Sequence, residues 1–395
     1  MSNNRIPRDK QNDYSREAAS ARRDFVMEKT GVELEHIGQY STDPADVAGN
    51  CENFMGMIQM PVGLAGPVLI DGEYAKGEFY APLATTEGTL IASYNRGMRA
   101  ITESGGITTT VFDDVMQRAP AFVFKSAREA KLFGEWLEDN FARIKEQAET
   151  TTSVGKLEFI QKWPMNRSLY TRWNYSTGDA AGQNMVSKAT DFASKWVQKN
   201  YPGNIEFYAF SGGIDTDKKH SHMNFLHSRG KRVVAEVTLK KDVLENLLHT
   251  TANKLEQFRR ITRTGANLAG SAYNGGHSAN GIAAFFVATG QDEANVVESH
   301  TGAVYTEVLE NGDMYWSWTM PSIIVATFGG GTGLPTQREC LEMMDCYGKG
   351  KARKLAEIAA AVVAGGDISI ASAVRADEFV NAHETYGRNR ESGKA

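Results

Sequence analysis

Ala121-Phe122-Val123-Phe124, followed by Lys125-Ser126-Ala127-Arg128-Glu129, is the stretch from which the fold can be read. A run of apolar residues predicts a short buried strand, and Ser126 with Glu129 forms a capping box that opens a helix. Leu132, Phe133, Trp136, Leu137, Phe141 and Ile144 then recur at helical spacing. Residues 157–163 and 169–175 read as strands around a Pro164-Met165-Asn166 turn. A second helix is predicted over 180–200, with Met185, Phe192, Trp196 and Val197 on its inner side, and 205–210 closes the block as a strand. The order βαββαβ is the split βαβ, or ferredoxin-like, arrangement.

Working outward, this block (120–210) interrupts a larger mixed domain (49–119 and 211–395), preceded by a helical arm (1–48). The fold class is α+β. The arm carries a helix over 16–32, and the polar residues before it read as mobile. In the larger part, 232–239 predicts a strand and 241–259 an amphipathic helix. Residues 280–289 have almost no polar side and predict a buried central helix. Residues 304–309 and 314–318 flank Glu310-Asn311-Gly312-Asp313, a hairpin signal. The chain closes on two predicted helices separated by Gly365-Gly366.

Composition narrows the function. A chain of 395 residues with 41% hydrophobic content is ample for a folded enzyme, and a net charge of −5 with no basic run argues against a nucleic-acid partner. Cys51, Cys340 and Cys346 form no disulfide framework, which fits a reducing compartment. The first residues are polar, unlike a signal peptide, and the longest apolar run, 358–364, is far short of a membrane span. A soluble, cytoplasmic protein without a membrane anchor is expected.

Several constellations can carry chemistry. Glu87, in Ala84-Thr85-Thr86-Glu87-Gly88, has apolar and hydroxyl neighbours, and burial there would raise its pKa and suit a proton donor. The same residues also make an ordinary helix start, and spacing alone does not separate the two. Ser176 to Met185 runs from a strand into a helix whose exposed N–H groups suit a phosphate; Asp179 would repel one if turned inward, and so caps the helix or meets a sugar hydroxyl. Thr327-Phe328-Gly329-Gly330-Gly331-Thr332-Gly333 forms an anion nest or a hinge. In Ser211-Gly212-Gly213-Ile214-Asp215-Thr216-Asp217-Lys218-Lys219, a lysine can hold a developing oxyanion while the aspartates hold the lysines; a solvated charge cluster is the plainer alternative. His220, His222 and His227 match no zinc spacing, so no metal is expected.

Taken in order, Glu52-Asn53-Phe54-Met55-Gly56, Pro61 to Pro67, Ala84 to Gly88, Asn95-Arg96-Gly97, Gln117-Arg118-Ala119-Pro120, Gly178 to Met185, Asp217-Lys218-Lys219, Gly290-Gln291-Asp292, Thr319-Met320-Pro321-Ser322 and Gly329 to Thr332 resemble the 3-hydroxy-3-methylglutaryl-CoA (HMG-CoA) reductase family, in the class shared by eukaryotes, archaea and some bacteria. The resemblance implies reduction of HMG-CoA to mevalonate and CoA by two hydride transfers from NADPH, preferred to NADH, with no metal. It implies Lys218 on the oxyanion, Glu87 as proton donor, Asp292 tuning that pair and His383 protonating the departing thiolate. Arg118, Ser211, Asp217, Lys219 and Asn280 would contact the HMG portion, and Ser93, Asn95 and Arg96 the CoA side. Asp179, Gly182, Asn184, Met185, Gly330 and Gly331 would contact the cofactor, and 120–210 would be the nucleotide domain. A homodimer or larger oligomer, with the site completed between subunits, is implied.

Family members commonly carry a lysine where this chain has Ala266, and Arg263 is the candidate to compensate. Ser176 stands where eukaryotic members have an arginine. NAD-linked oxidation of mevalonate, reduction of a different acyl-CoA, and a non-catalytic CoA- or nucleotide-binding regulator are the alternatives.

Overall fold

The computed structural model describes residues 5–376. Helix α1 (Arg16–Thr30) starts at Ser15, whose hydroxyl accepts the Ala18 N–H, and stops at Gly31 in the left-handed region. The described residues before it are tied down at Pro7 and Asp13, contrary to the expectation of mobility. Buried Arg22 donates to the carbonyls of Pro7 (3.1 Å) and Phe54 (2.9 Å) and pairs with Asp13. A small cluster of Ala19, Val47 and Phe54 sits beneath.

Strands β1 (Val62–Gly72) and β2 (Lys76–Ala84) form an antiparallel pair, then α2 (Leu90–Glu103) leads into the long β3 (Ile107–Arg118). The chain continues through β4 (Ala121–Val123), α3 (Ala127–Asp139), α4 (Phe141–Glu149), β5 (Lys156–Met165), β6 (Ser168–Ser176), α5 (Gln183–Asn200) and β7 (Phe207–Ala209). Next come α6 (Met223–Leu226), β8 (Gly230–Leu239), α7 (Lys241–Asn246), α8 (Ala252–Leu268), α9 (Ser278–Thr289) and α10 (Val296–Ser299). The hairpin β9 (Ala303–Val308) and β10 (Met314–Ile323), then α11 (Pro335–Met343) and α12 (Ala352–Arg375), complete the described chain.

The fold is mixed α+β on largely antiparallel sheet. In the block read first from the sequence the strands lie in the order β7-β4-β6-β5, every neighbouring pair antiparallel. The predicted first helix is divided at Asn140, which ends α3 and begins α4. Phe192 is 46% exposed instead of inward. The inner face of α5 is Val186, Ala189, Ala193 and Val197, whose 3–4-residue spacing places Phe192 off the stripe. Strand β3 joins this sheet to the other: its tip, Met116 to Arg118, pairs with β6, and its body pairs with β8. The second sheet runs β2-β1-β3-β8-β10-β9, in which only β1 and β3 are parallel.

Two further expectations fail locally. The amphipathic segment after β8 is broken into α7 and α8, with Thr251 capping the second through Lys254 N–H. Gly365-Gly366 divides nothing, because α12 is one continuous helix through both. The reason is contact: a Cβ on Gly97 of α2 would lie 1.7 Å from the Gly365 carbonyl oxygen, and one on Gly366 would meet the Tyr94 ring. Glycine here lets two helices cross closely instead of ending one. Helix α9 is buried as expected, yet α12 is the longer central helix. It is apolar enough to cross a membrane by length and composition, and 83% of its apolar window is buried inside the protein. Its internal charges are met: Glu357 accepts the N–H groups of Glu73, Tyr74 and Ala75, and Asp367 those of Gly276 and His277 with the Tyr273 hydroxyl and the Trp318 indole.

Candidate active site

The 211–219 loop leaves β7 and returns the chain to the larger sheet. Thr216 and Lys218 both have φ in the left-handed region, +58° and +55°. For residues with a Cβ that conformation is costly and must be held by its surroundings. Between them, Asp217 accepts from Arg229 Nη2 (2.7 Å) and Arg118 Nη1 (2.8 Å). Burial pushes the Asp217 carboxyl up, but the two guanidiniums more than reverse this and hold it below its ordinary value of 3.8. Arg118, at the end of β3, also donates to Ser187 Oγ on α5 (2.6 Å), so it links the two sheets. Arg172, buried next to Arg229, is pulled down to about 10 by burial and by that neighbouring charge.

Lys218 Nζ meets Asp292 Oδ2 at 3.1 Å, and both side chains remain accessible (44% and 38%). A charge-assisted contact at that range aims the ammonium. Asp292 is fixed because it caps the turn Glu293–Asn295 through Ala294 N–H. Gly290 and Gly331 press together, since a Cβ on Gly290 would lie 2.3 Å from the Gly331 oxygen. The glycine-rich loop therefore supports the turn that carries Asp292. Lys219 Nζ, exposed, donates to the Asp217 carbonyl (2.9 Å), and Ser211 is exposed at the start of the loop.

Glu87 is not buried. It lies in the turn between β2 and α2, and the burial expected from its neighbours is absent: Thr85 is still tied to the sheet through the Pro61 carbonyl (3.0 Å), but Thr86 and Glu87 beyond it are exposed. Asn280 Nδ2, on the first turn of α9, donates to Glu87 Oε2 (2.8 Å). Asp292 follows the other end of α9, about 14 Å of helix from Asn280 at 1.5 Å per residue. Glu87 and Lys218 do not pair with each other in this chain. On α2, Ser93 Oγ and Arg96 Nε both meet Ser369 Oγ of α12 (3.1 Å each), and Asn95 accepts the Gly66 N–H. Arg263 is engaged with Glu256 (2.5 Å), so it does not stand free to replace a lysine at Ala266.

On the other side of β3, the strand-to-helix turn places Gly182 at the start of α5 with Asn184 exposed; Met185 is half-buried with Thr152 Oγ1 on its sulfur (3.0 Å). Asp179 is turned away from that helix. Its carboxylate accepts the N–H groups of Gly350 (2.7 Å) and Ala352 (3.2 Å) and so caps α12, a helix over 170 residues later in sequence. The negative charge that would repel a phosphate is thus removed from the start of α5. Gly330 is exposed, with open space where a Cβ would stand. His227 meets Gln161 (2.7 Å) and His220 lies beside His300. His383 lies outside the described residues.

Sequence reasoning missed Arg229 and Glu298, both fully buried and ion-paired beneath Lys218 (Arg229 Nε to Glu298 Oε1, 3.3 Å). The available signal was faint: a glutamate amid Val296, Val297 and Ser299, shortly after Asp292.

A family model for hydroxymethylglutaryl-coenzyme A reductase matches residues 18–388. The 3-hydroxy-3-methylglutaryl-coenzyme A reductase of Methanocaldococcus jannaschii is 44% identical over 95% of this chain and 94% of its own length. That of Pyrococcus abyssi is 42% identical over 95% and 94%. The class II 3-hydroxy-3-methylglutaryl-CoA reductase of Streptococcus pneumoniae, solved bound to NADPH in open conformations, has the same fold, with a TM-score of 0.68 over 93% of this chain and 87% of that one at 19% identity. With these matches running nearly end to end, the chain belongs to the hydroxymethylglutaryl-coenzyme A reductase family.

Proposed function

We propose that the protein reduces HMG-CoA to mevalonate and free CoA by two hydride transfers from NADPH. The observation that carries this is the Lys218–Asp292 pair at 3.1 Å on a loop held in left-handed geometry. A charged, oriented and accessible ammonium suits a carbonyl oxygen on which negative charge develops. Asp292 holds that ammonium in place. Glu87, oriented by Asn280 and exposed in the single chain, would supply the proton to the oxygen of the second reduction once a partner subunit and substrate enclose it, and His383 protonates the thiolate released between the two. Arg118, Ser211, Asp217 and Lys219 shape the HMG pocket, and Ser93, Asn95 and Arg96 the CoA entrance. That Glu87 and Lys218 do not pair within one chain supports a homodimer or larger oligomer in which one subunit completes the other's site.

The residues present fit a nicotinamide dinucleotide. Asp179 is turned away from the start of α5, and Gly330 leaves open space above its backbone. Gly182, Asn184 and Met185 would hold it on one side, with Gly330 and Gly331 on the other, while Asp179 stays with α12, and NADPH would supply the hydride. The strand order β7-β4-β6-β5 supports a ferredoxin-like nucleotide domain at 120–210, inserted in a catalytic domain of 49–119 and 211–395 behind an arm of 1–48. Three free thiols (Cys51, Cys340, Cys346) support a cytoplasmic setting.

The test is consumption of NADPH by the purified protein on addition of HMG-CoA, with one CoA thiol released for each pair of NADPH oxidised. Lys218→Ala should lower kcat roughly 10²–10³-fold while the fold survives. No turnover with either nicotinamide, or wild-type turnover in Lys218→Ala, would sink the proposal.

A further inference from the structure

We infer that Glu298, with Arg229, is a positioning residue that holds the backbone of Lys218 and thereby sets the Lys218–Asp292 pair. This rests on Lys218 being the group that meets the carbonyl oxygen. The Lys218 N–H donates to Glu298 Oε1 at 2.5 Å. That bond comes to a residue at φ +55°, a conformation that persists only where the surroundings over-determine it. Thr216, the other strained residue, is held separately: its hydroxyl donates to Asn224 Oδ1 (2.5 Å). For Lys218 the acceptor is Glu298.

Glu298 in turn has no freedom of its own. Its side chain and that of Arg229 are both fully buried and joined at 3.3 Å. Arg229 reaches further, donating to Asp217 Oδ1 (2.7 Å) and to the Gln117 carbonyl (3.1 Å), so one guanidinium fixes Glu298 and the residue preceding Lys218. On its other oxygen Glu298 accepts from Asn295 Nδ2 (3.4 Å), and Asn295 closes the turn that Asp292 caps. Asn295 Oδ1 also accepts from Gln183 Nε2 (2.8 Å), the first residue of α5. One buried carboxylate therefore ties together the backbone of Lys218, the turn carrying Asp292 and the start of the helix facing the nucleotide side. Burial raises the Glu298 carboxyl even against the Lys218 amide and Arg229, which fits a group enclosed with its partners and away from solvent.

The experiment compares Glu298→Gln with wild type and Lys218→Ala in the full-length protein, using HMG-CoA and NADPH. Glutamine keeps the size but removes the charge that binds Arg229 and turns amide hydrogens toward donors. The expected result is a roughly 10- to 100-fold loss of kcat, as for a small misplacement of a reacting group, with KM for NADPH within about twofold. KM for HMG-CoA should also stay within about twofold, because a misplaced ammonium is missed in the transition state more than in substrate binding. Wild-type kcat in folded Glu298→Gln, alongside an inactive Lys218→Ala, would overturn the positioning role and leave that of Lys218 standing. A fall in kcat matched by a comparable rise in either KM marks general loosening and equally overturns it. Wild-type turnover in Lys218→Ala would remove the role of Lys218 itself. If Glu298→Gln does not fold, Glu298→Asp answers the same question, since it keeps the charge but draws the acceptor back from the Lys218 N–H; wild-type behaviour there overturns the inference.

Discussion

Gly97→Ala sets two opposed effects against each other. Helix propensity alone favours the change, since alanine gains about 1 kcal/mol over glycine in a helix interior. Packing opposes it. The new Cβ would lie 1.7 Å from the Gly365 oxygen, and ordinary contact begins near 3.4 Å, so α2 and α12 must part by the difference, about 1.7 Å. Overpacking of this kind costs roughly 1–3 kcal/mol. The clash is with backbone instead of a flexible side chain, so the upper end applies, and a gap of 0.5–1 Å already forfeits a quarter to a half of each dispersion contact. The side chains that would lose contact include Tyr94, Met98 and Ile101, all fully buried. Net destabilisation of about 2 kcal/mol is expected. Gly265→Ala in α8 is the matched control, because nothing lies within 4 Å of its Cβ; propensity acts alone there and the protein gains up to about 1 kcal/mol. Guanidinium unfolding at one fixed protein concentration measures both as shifts in midpoint, with the slope checked for constancy. A Gly97→Ala midpoint at or above wild type, or a Gly265→Ala loss equal to that of Gly97→Ala, would refute the reasoning.

Asp217→Asn tests the ion cluster through pH. The folded pKa of Asp217 is depressed, so its stabilising contribution is complete above the ordinary value of 3.8 and disappears as pH falls through the depressed value. The variant should be less stable than wild type by about 1–3 kcal/mol at pH 7, and the gap should close below pH 3.8. A gap constant with pH would assign the loss to packing. Asp179→Ala should lower stability by about 1–2 kcal/mol, because it uncaps α12; an unchanged unfolding midpoint would rule the cap out.

What was legible in the sequence was whatever is decided within a few residues. Ser126 does accept the Glu129 N–H, and the Glu310–Asp313 turn does join two antiparallel strands, because caps and hairpins are local chemistry. The βαββαβ order came from local periodicity. Its division at Asn140 did not, since apolar spacing continues across the break. The family was legible too, because ordered motifs spread over the chain do not depend on knowing which of them touch.

The sequence by itself thus determined most element types, the α+β class and the Asp217-Lys218-Lys219 run at the candidate site, but not Arg229 or Glu298 beneath it. Only the tertiary structure decided their partners. Glycine pairs permit a break or a close crossing, and it was Gly97, far away in sequence, that made Gly365-Gly366 a crossing. Asp179 had a cap to make, but the helix it caps begins at Ala352. Glu87 found Asn280 and stayed apart from Lys218, and Lys218 found Asp292 and the buried Glu298. Helix and strand propensities act over a turn or two, whereas a buried charge is tolerable only where distant segments bring its counter-charge and donors.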